Sequence, residues 1–315
     1  MKRIVHSRGA VTIEAYPEQA RRVLRSLYEA YMEERLLYAH VVRSDAPQTR
    51  HLPESIVKGG EDHLRWLFFA VLTDRRDASE NVYAAHKRLY VRQPILYLDE
   101  VTVLTEGEIK KILVAEQVSM PGTSARNWVA CADTLYGKFE GNPLRTYESG
   151  SIGGALLAKK KAPLPGYGAK LLSLLALFFH EVGALEKLPE NTFPIDLHVQ
   201  RIALATGIIR GEGNVRNDML ENVLRELFSQ IAKEEGWDVL ELAHALWFLG
   251  NRLCTGCNKS SKALHFCPIY EECRGAIPTR SYFKKGLWEL NAQRLRKGGE
   301  NQFRLPEDTP LFGEP

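Results

Sequence analysis

Lys170 stands two residues past the second glycine of Leu164-Pro165-Gly166-Tyr167-Gly168-Ala169-Lys170, just ahead of the apolar run LLSLLALFF. A Gly-x-Gly turn leaves backbone N–H groups uncovered and tolerates positive φ. A helix starting there adds further unpaired N–H groups at the positive end of its dipole. Such a corner suits an anion carried by something large, and the lysines 159–161 just before it would suit phosphates. Tyr167, between the glycines, is expected at the surface or in a groove. A lysine in the first helical turn opposes the dipole, costing roughly 0.3–1 kcal/mol. It reads either as a phosphate-binding or surface lysine or, if partly desolvated, as an amine nucleophile.

Two other sets could do chemistry. Asp196, in FPIDLHVQRI, follows a loop and precedes a helical pattern. It reads as an N-cap, or as a carboxylate facing a cleft and stabilising a developing positive charge. His198 and Arg201 read as a core histidine and a helix-surface arginine. Four of the five cysteines crowd into Cys254-x2-Cys257-x9-Cys267-x5-Cys273. Thiols confined to one loop suggest metal ligation rather than a disulfide scaffold. Structural zinc prefers two Cys-x-x-Cys pairs and only one is present. Pro268 and the five-residue gap suit a [4Fe–4S] loop better, with structural zinc as the alternative. Cys131 sits on a helical stripe and reads as a core thiol.

These groups need elements to hold them, and the pattern is nearly all helical from Pro17 onward. Leu24, Leu27, Tyr28, Tyr31 and Leu36 form one stripe. Leu64, Leu67, Phe68, Val71 and Leu72 form the next, followed by one with Val82, Ala85 and Leu89. Trp128, Cys131, Leu135 and Phe139 mark the helix before the glycine turn. SIGGALLAKKK, the turn and the apolar run read together as a helix-hairpin-helix. AVTIEA alternates as a short strand. With 44% hydrophobic and 26% charged residues the 315-residue chain is an ordinary globular one, and its net charge of +3 permits a polyanion without announcing it. Basic clusters at Arg21, Arg22 and Arg25 and at 280–297 are solvated faces unless a polyanion uses them. No stretch is long enough to span a membrane and no signal peptide is evident, so a cytoplasmic protein is expected.

LPGYGAK, PIDLHVQRI and the cysteine loop ending CPIYEEC, in this order, resemble the helix-hairpin-helix DNA glycosylase superfamily. The chain looks like a divergent endonuclease III-like member, over roughly residues 62–275. The resemblance implies an all-α, two-lobed fold with possible short N-terminal strands. It places an N-terminal extension at 1–60 and a six-helix barrel with the hairpin at 61–190. A helical lobe with the iron–sulfur loop follows at 191–280, then a basic, polar tail at 281–315. It implies that Lys170 forms a Schiff base with the sugar of a flipped-out damaged nucleotide, with Asp196 stabilising the cationic sugar or assisting the amine. Gly166, Tyr167, Gly168, Lys161 and Arg76 would contact DNA. Where many relatives carry a duplex-filling glutamine this chain has TDRRDAS, so Arg76 or Arg75 is expected there. The cysteine spacing departs from endonuclease III, because the second cysteine lies next to the first. The implied partner is duplex DNA bearing a damaged base or abasic site, bound by a monomer in a prokaryotic nucleoid. The implied activity is a bifunctional glycosylase and AP lyase. A monofunctional glycosylase using water activated by Asp196, or a non-catalytic DNA clamp, remain the alternatives.

Overall fold

The computed structural model describes residues 4–8, 11–41, 43–75, 77–148, 164–254, 257, 265–275 and 283–290. The described chain is predominantly helical, with one small sheet. It divides into two compact units, one running from Arg43 to Pro194, the other joining Met1–Val42 to Ile195–Pro315. Lys170 belongs to the first and Asp196 to the second. The expected helix before the hairpin, with Lys161, lies outside the described residues, as does Arg76.

In the continuous unit the main helices are α2 (Glu61–Thr73), α3 (Ser79–Arg92), α4 (Glu106–Ala115), α5 (Pro121–Phe139) and α6 (Ala169–Glu181), with α1 (Pro17–Met32) in the other unit. From His63 to Thr73, α2 is buried at every residue but Arg65, the mark of a helix inside the core rather than on its surface. Its Phe69 ring stacks on Trp128 of α5 at 4.5 Å, the His86 ring of α3 stacks on the same indole at 5.6 Å, and Tyr97 meets it edge-on at 5.7 Å. Cys131 is fully buried, as its stripe implies, and burial pushes its thiol up to about 12. α4 begins with a reciprocal cap. Thr105 accepts from the Glu108 N–H while the Glu108 carboxylate accepts from the Thr105 N–H at 2.8 Å. Thr105→Ala should cost about 1 kcal/mol in urea unfolding.

The second unit holds α1 (Pro17–Met32), α7 (Leu197–Ala205), α8 (Asn217–Glu235) and α9 (Val239–Phe248). Pro17 starts α1, and its buried face of Val23, Leu24, Leu27 and Tyr31 matches the sequence stripe. Leu36 falls past the helix end with φ of +58° and is partly exposed, so the stripe stops earlier than expected. Arg21 reaches Glu234 at 2.6 Å and also Glu235, which in turn binds Arg25 at 2.7 Å. Two of the three arginines in that basic cluster therefore have carboxylate partners on α8.

A five-stranded antiparallel sheet completes this unit in the order β1 (Ile4–Arg8), β2 (Val11–Ala15), β3 (Ile209–Arg216), β5 (Leu287–Leu290), β4 (Phe283–Lys284). The alternating AVTIEA segment forms β2, while β3 to β5 were not legible. Gly211 in β3 has a reason: a Cβ there would come within 2.9 Å of the Thr12 carbonyl oxygen. Trp288 of β5 is fully buried and donates to Gln200 Oε1 of α7 at 2.6 Å, which locks the sheet to the helix that Asp196 caps. No described helix is long and apolar enough to cross a membrane.

Candidate functional site

The glycine turn is closed on itself and fastened to the rest of its unit at three points. Tyr167 N–H donates to Leu164 O at 3.1 Å, closing the turn. Cys131 Sγ donates to Pro165 O at 2.8 Å, and Arg75 Nη2 donates to Gly166 O while its Nε donates to Leu72 O at 3.1 Å. Gly166 adopts φ of +83°, and a Cβ on it would come within 2.7 Å of Asn127 and 2.9 Å of Arg75. Glycine is required here by conformation and by space. The Tyr167 ring is only 4% exposed and its hydroxyl donates to Phe68 O, so the expectation of an exposed ring is corrected. A phenol that finds both an apolar slot and a buried carbonyl gains more inside than at the surface. Arg75, bound to two carbonyls, has its guanidinium committed to this turn rather than held free to enter a duplex.

Gly168 differs from Gly166. It is the N-cap of α6 with extended backbone (φ −99°, ψ 177°), exposed, and nothing lies within 4 Å of where a Cβ would sit. Neither strain nor internal packing demands a glycine, and no side chain caps the helix. The bare position leaves the first-turn N–H groups of α6 open to an outside group. The two glycines should therefore respond oppositely. Gly166→Ala should destabilise by roughly 1–3 kcal/mol through left-handed strain and overlap. Gly168→Ala should leave the melting temperature nearly unchanged, since neither strain nor packing responds to the added methyl group.

Lys170 follows in the first turn of α6. Its Nζ lies 3.4 Å from the Asp74 carbonyl oxygen and 3.9 Å from Asp74 Oδ1, with the lysine side chain 28% exposed and the aspartate 7%. Asp74 ends α2, and Ser79 Oγ, at the start of α3, lies 3.4 and 3.5 Å from its two oxygens. Sequence reading missed Asp74, which sits 96 residues from its lysine.

Asp196 takes its N-cap role: Oδ1 accepts from Val199 N–H at 2.8 Å, and its carbonyl accepts from Gln200 N–H. One turn on, Arg201 is buried, not on the helix surface, and Nη2 donates to the Cys254 carbonyl at 2.9 Å. Burial lowers its pKa, while the nearby charges of Cys254 and Asp196 act the other way. His198 is half-buried with Nδ1 lacking a hydrogen-bond partner among the described residues, so it is not the satisfied core histidine expected.

The four cysteines converge. α9 runs into a π-turn (Leu249–Leu253), in which Cys254 N–H reaches back to Leu249 O at 2.9 Å. Cys254, Cys257, Cys267 and Cys273 line one recess with Arg201, Ile202, Ala205, Leu253 and Ile269. Burial pushes the Cys267 thiol up to about 12, and Cys254 rises further through burial and the three neighbouring thiols. Among the described residues, no three His, Cys, Asp or Glu side chains are gathered tightly enough to hold one metal ion.

No family model and no curated protein sequence matches the chain. A solved structure described as a trapped endonuclease III–DNA covalent intermediate, an estranged-adenine complex, is similar to it at a TM-score of 0.46 and 18% identity, covering 74% of this chain and 85% of that one.

Proposed function

We propose that this chain is a base-excision DNA glycosylase with AP-lyase activity. The observation that carries the reading is the placement of Lys170. A partly exposed amine stands in the first turn of a helix whose N-cap glycine, Gly168, is open to solvent with no internal reason to lack a side chain. Phosphate bound by backbone N–H groups at such a corner positions a nucleic acid without reading its sequence. A flipped-out nucleotide would then bring its C1′ to Nζ. Lys170 attacks C1′ as the base leaves, forming a Schiff base with the sugar, and β-elimination cleaves the strand. For Asp196 the resemblance alone implies the role of stabilising the cationic sugar or assisting the amine. Its N-cap bond to Val199 fixes the carboxylate.

The four thiols would hold a [4Fe–4S] cluster, which when bound supplies iron–sulfur bonds tying the loop to the turn that ends α9. Their fit rests on four sulfurs lining one recess. Tetrahedral zinc, with Zn–S near 2.3 Å, would need its thiols roughly 4 Å apart. The single Cys-x-x-Cys pair and the five-residue gap before Cys273 support the cluster, where each thiolate binds its own iron.

The decisive experiment incubates the full-length protein with a duplex containing an abasic site and adds borohydride. A covalent protein–DNA adduct is expected. Base release from damaged duplex without an adduct would select the monofunctional reading. Duplex binding with neither would leave a non-catalytic clamp.

A further inference from the structure

We propose that Asp74 is the positioning residue for the Lys170 amine in Schiff-base formation, an inference that rests on the reading above. Both acceptors that Nζ approaches belong to this one residue, its carbonyl at 3.4 Å and its carboxylate at 3.9 Å. The carboxylate is nearly buried and ends α2, the negative end of a helix dipole, where a carboxylate is ordinarily disfavoured. A buried carboxylate needs a partner. Ser79 Oγ is a long contact at 3.4–3.5 Å. The buried Tyr83 hydroxyl, which feels the Asp74 charge, has no hydrogen-bond partner among the described residues. Among the described residues, Lys170 is the cation that pairs with Asp74.

The frame around the pair is rigid. Asp74 N–H bonds back to Val71 O at 3.1 Å, and the next residue, Arg75, bonds to Leu72 O and to Gly166 O. The loop that carries the carboxylate and the turn that precedes the lysine are thus one bonded piece, and the amine is held at its edge while keeping contact with solvent. On an abasic aldehyde the Nζ–C1′ bond forms and the C1′–O bond breaks. The oxygen leaves as water with the two protons that Nζ sheds, and Asp74 is unchanged at the end. Its part is to fix Nζ where attack is possible, since small misplacement of a reacting atom carries large rate losses.

The test compares wild type with Asp74→Asn, nearly isosteric, and with Ser79→Ala, which loosens the carboxylate from the edge of the frame. Three quantities are read: the single-turnover rate of borohydride trapping on abasic duplex, the affinity for a duplex carrying a non-reactive tetrahydrofuran site, and the melting temperature. Asp74→Asn should slow trapping by about 30-fold and Ser79→Ala by about threefold, with affinity and melting close to wild type. Trapping within about twofold of wild type in both variants overturns the role of Asp74. So does a loss of trapping that only parallels lost melting temperature or affinity, since that is structural support. Should Asp74→Asn fail to fold, Ser79→Ala decides alone. If wild type gives no adduct, the glycosylase–lyase reading falls and this inference with it, an outcome distinct from an adduct that is indifferent to residue 74.

Discussion

Lys170→Ala is expected to abolish the borohydride-trapped adduct with abasic duplex and to lower strand cleavage by roughly a thousandfold or more, about 4 kcal/mol of barrier. In the proposed reaction the amine is the atom that bonds to the sugar, so removing it removes the bond. The alanine also leaves the Asp74 carboxylate buried with only the long Ser79 contact, and some stability should be lost with it. Lys170→Arg separates the two effects. A guanidinium keeps the charge beside Asp74 but forms no Schiff base under these conditions. It should melt near wild type and still give no adduct on a denaturing gel. An arginine variant that traps as well as wild type would remove Lys170 from the chemistry.

Acid should weaken the protein through His86. The ring is fully buried between Thr73 and Tyr97, with Nε2 2.8 Å from Thr73 Oγ1 and Nδ1 2.8 Å from Tyr97 Oη. Thr73 already donates to Ala70 O, so it accepts from Nε2–H, and the Tyr97 hydroxyl donates to Nδ1. The neutral ring satisfies both neighbours, and protonation would set one donor against another. Burial lowers its pKa from 6.5 to about 3, and His63 falls to about 4 by burial and the charge of Lys58. The unfolded chain therefore binds a proton below about pH 6.5 that the folded one refuses until near pH 3. The full contribution is present above that window and drains away as pH falls through it. His86 alone should cost roughly 2–3 kcal/mol by pH 4.5. Against the 5–15 kcal/mol of an ordinary domain that is a large fraction. Urea midpoints at pH 7.5, 5.5 and 4.5 measure it, and His86→Gln should flatten the slope by about one proton. An unaltered slope would assign the acid sensitivity elsewhere.

The groups legible in the sequence were those whose roles are local. Glycine followed by lysine at a helix start, an aspartate before LHVQRI, and four cysteines in one loop each carry their signal within a few residues. The cap at Asp196 and the recess shared by the four thiols follow from that. What stayed hidden depends on partners far along the chain. Asp74 reads as a loop acid until α6 brings Lys170 beside it, and Arg201 reads as a surface residue until the Cys254 carbonyl meets it. Tyr167 was misplaced because a turn usually exposes its middle residue, whereas here the Phe68 carbonyl captures its hydroxyl. In the sheet, IRGEGNVR has too many charges and glycines to alternate, and only Ile209 and Val215 are buried.

The sheet has a consequence for how the chain is made. Its middle strand emerges after residue 209, its first two strands are synthesised long before, and the last two arrive only past residue 283. On a ribosome the uninterrupted half from Arg43 to Pro194 can close on itself early, while the opening hairpin must wait for β3 and the slot of Trp288 for β5. Late closure of that seam makes the tail strands a quality gate: a chain released short of residue 283 keeps an intact lysine-bearing half but leaves Gln200, four residues beyond the capping aspartate, without its indole.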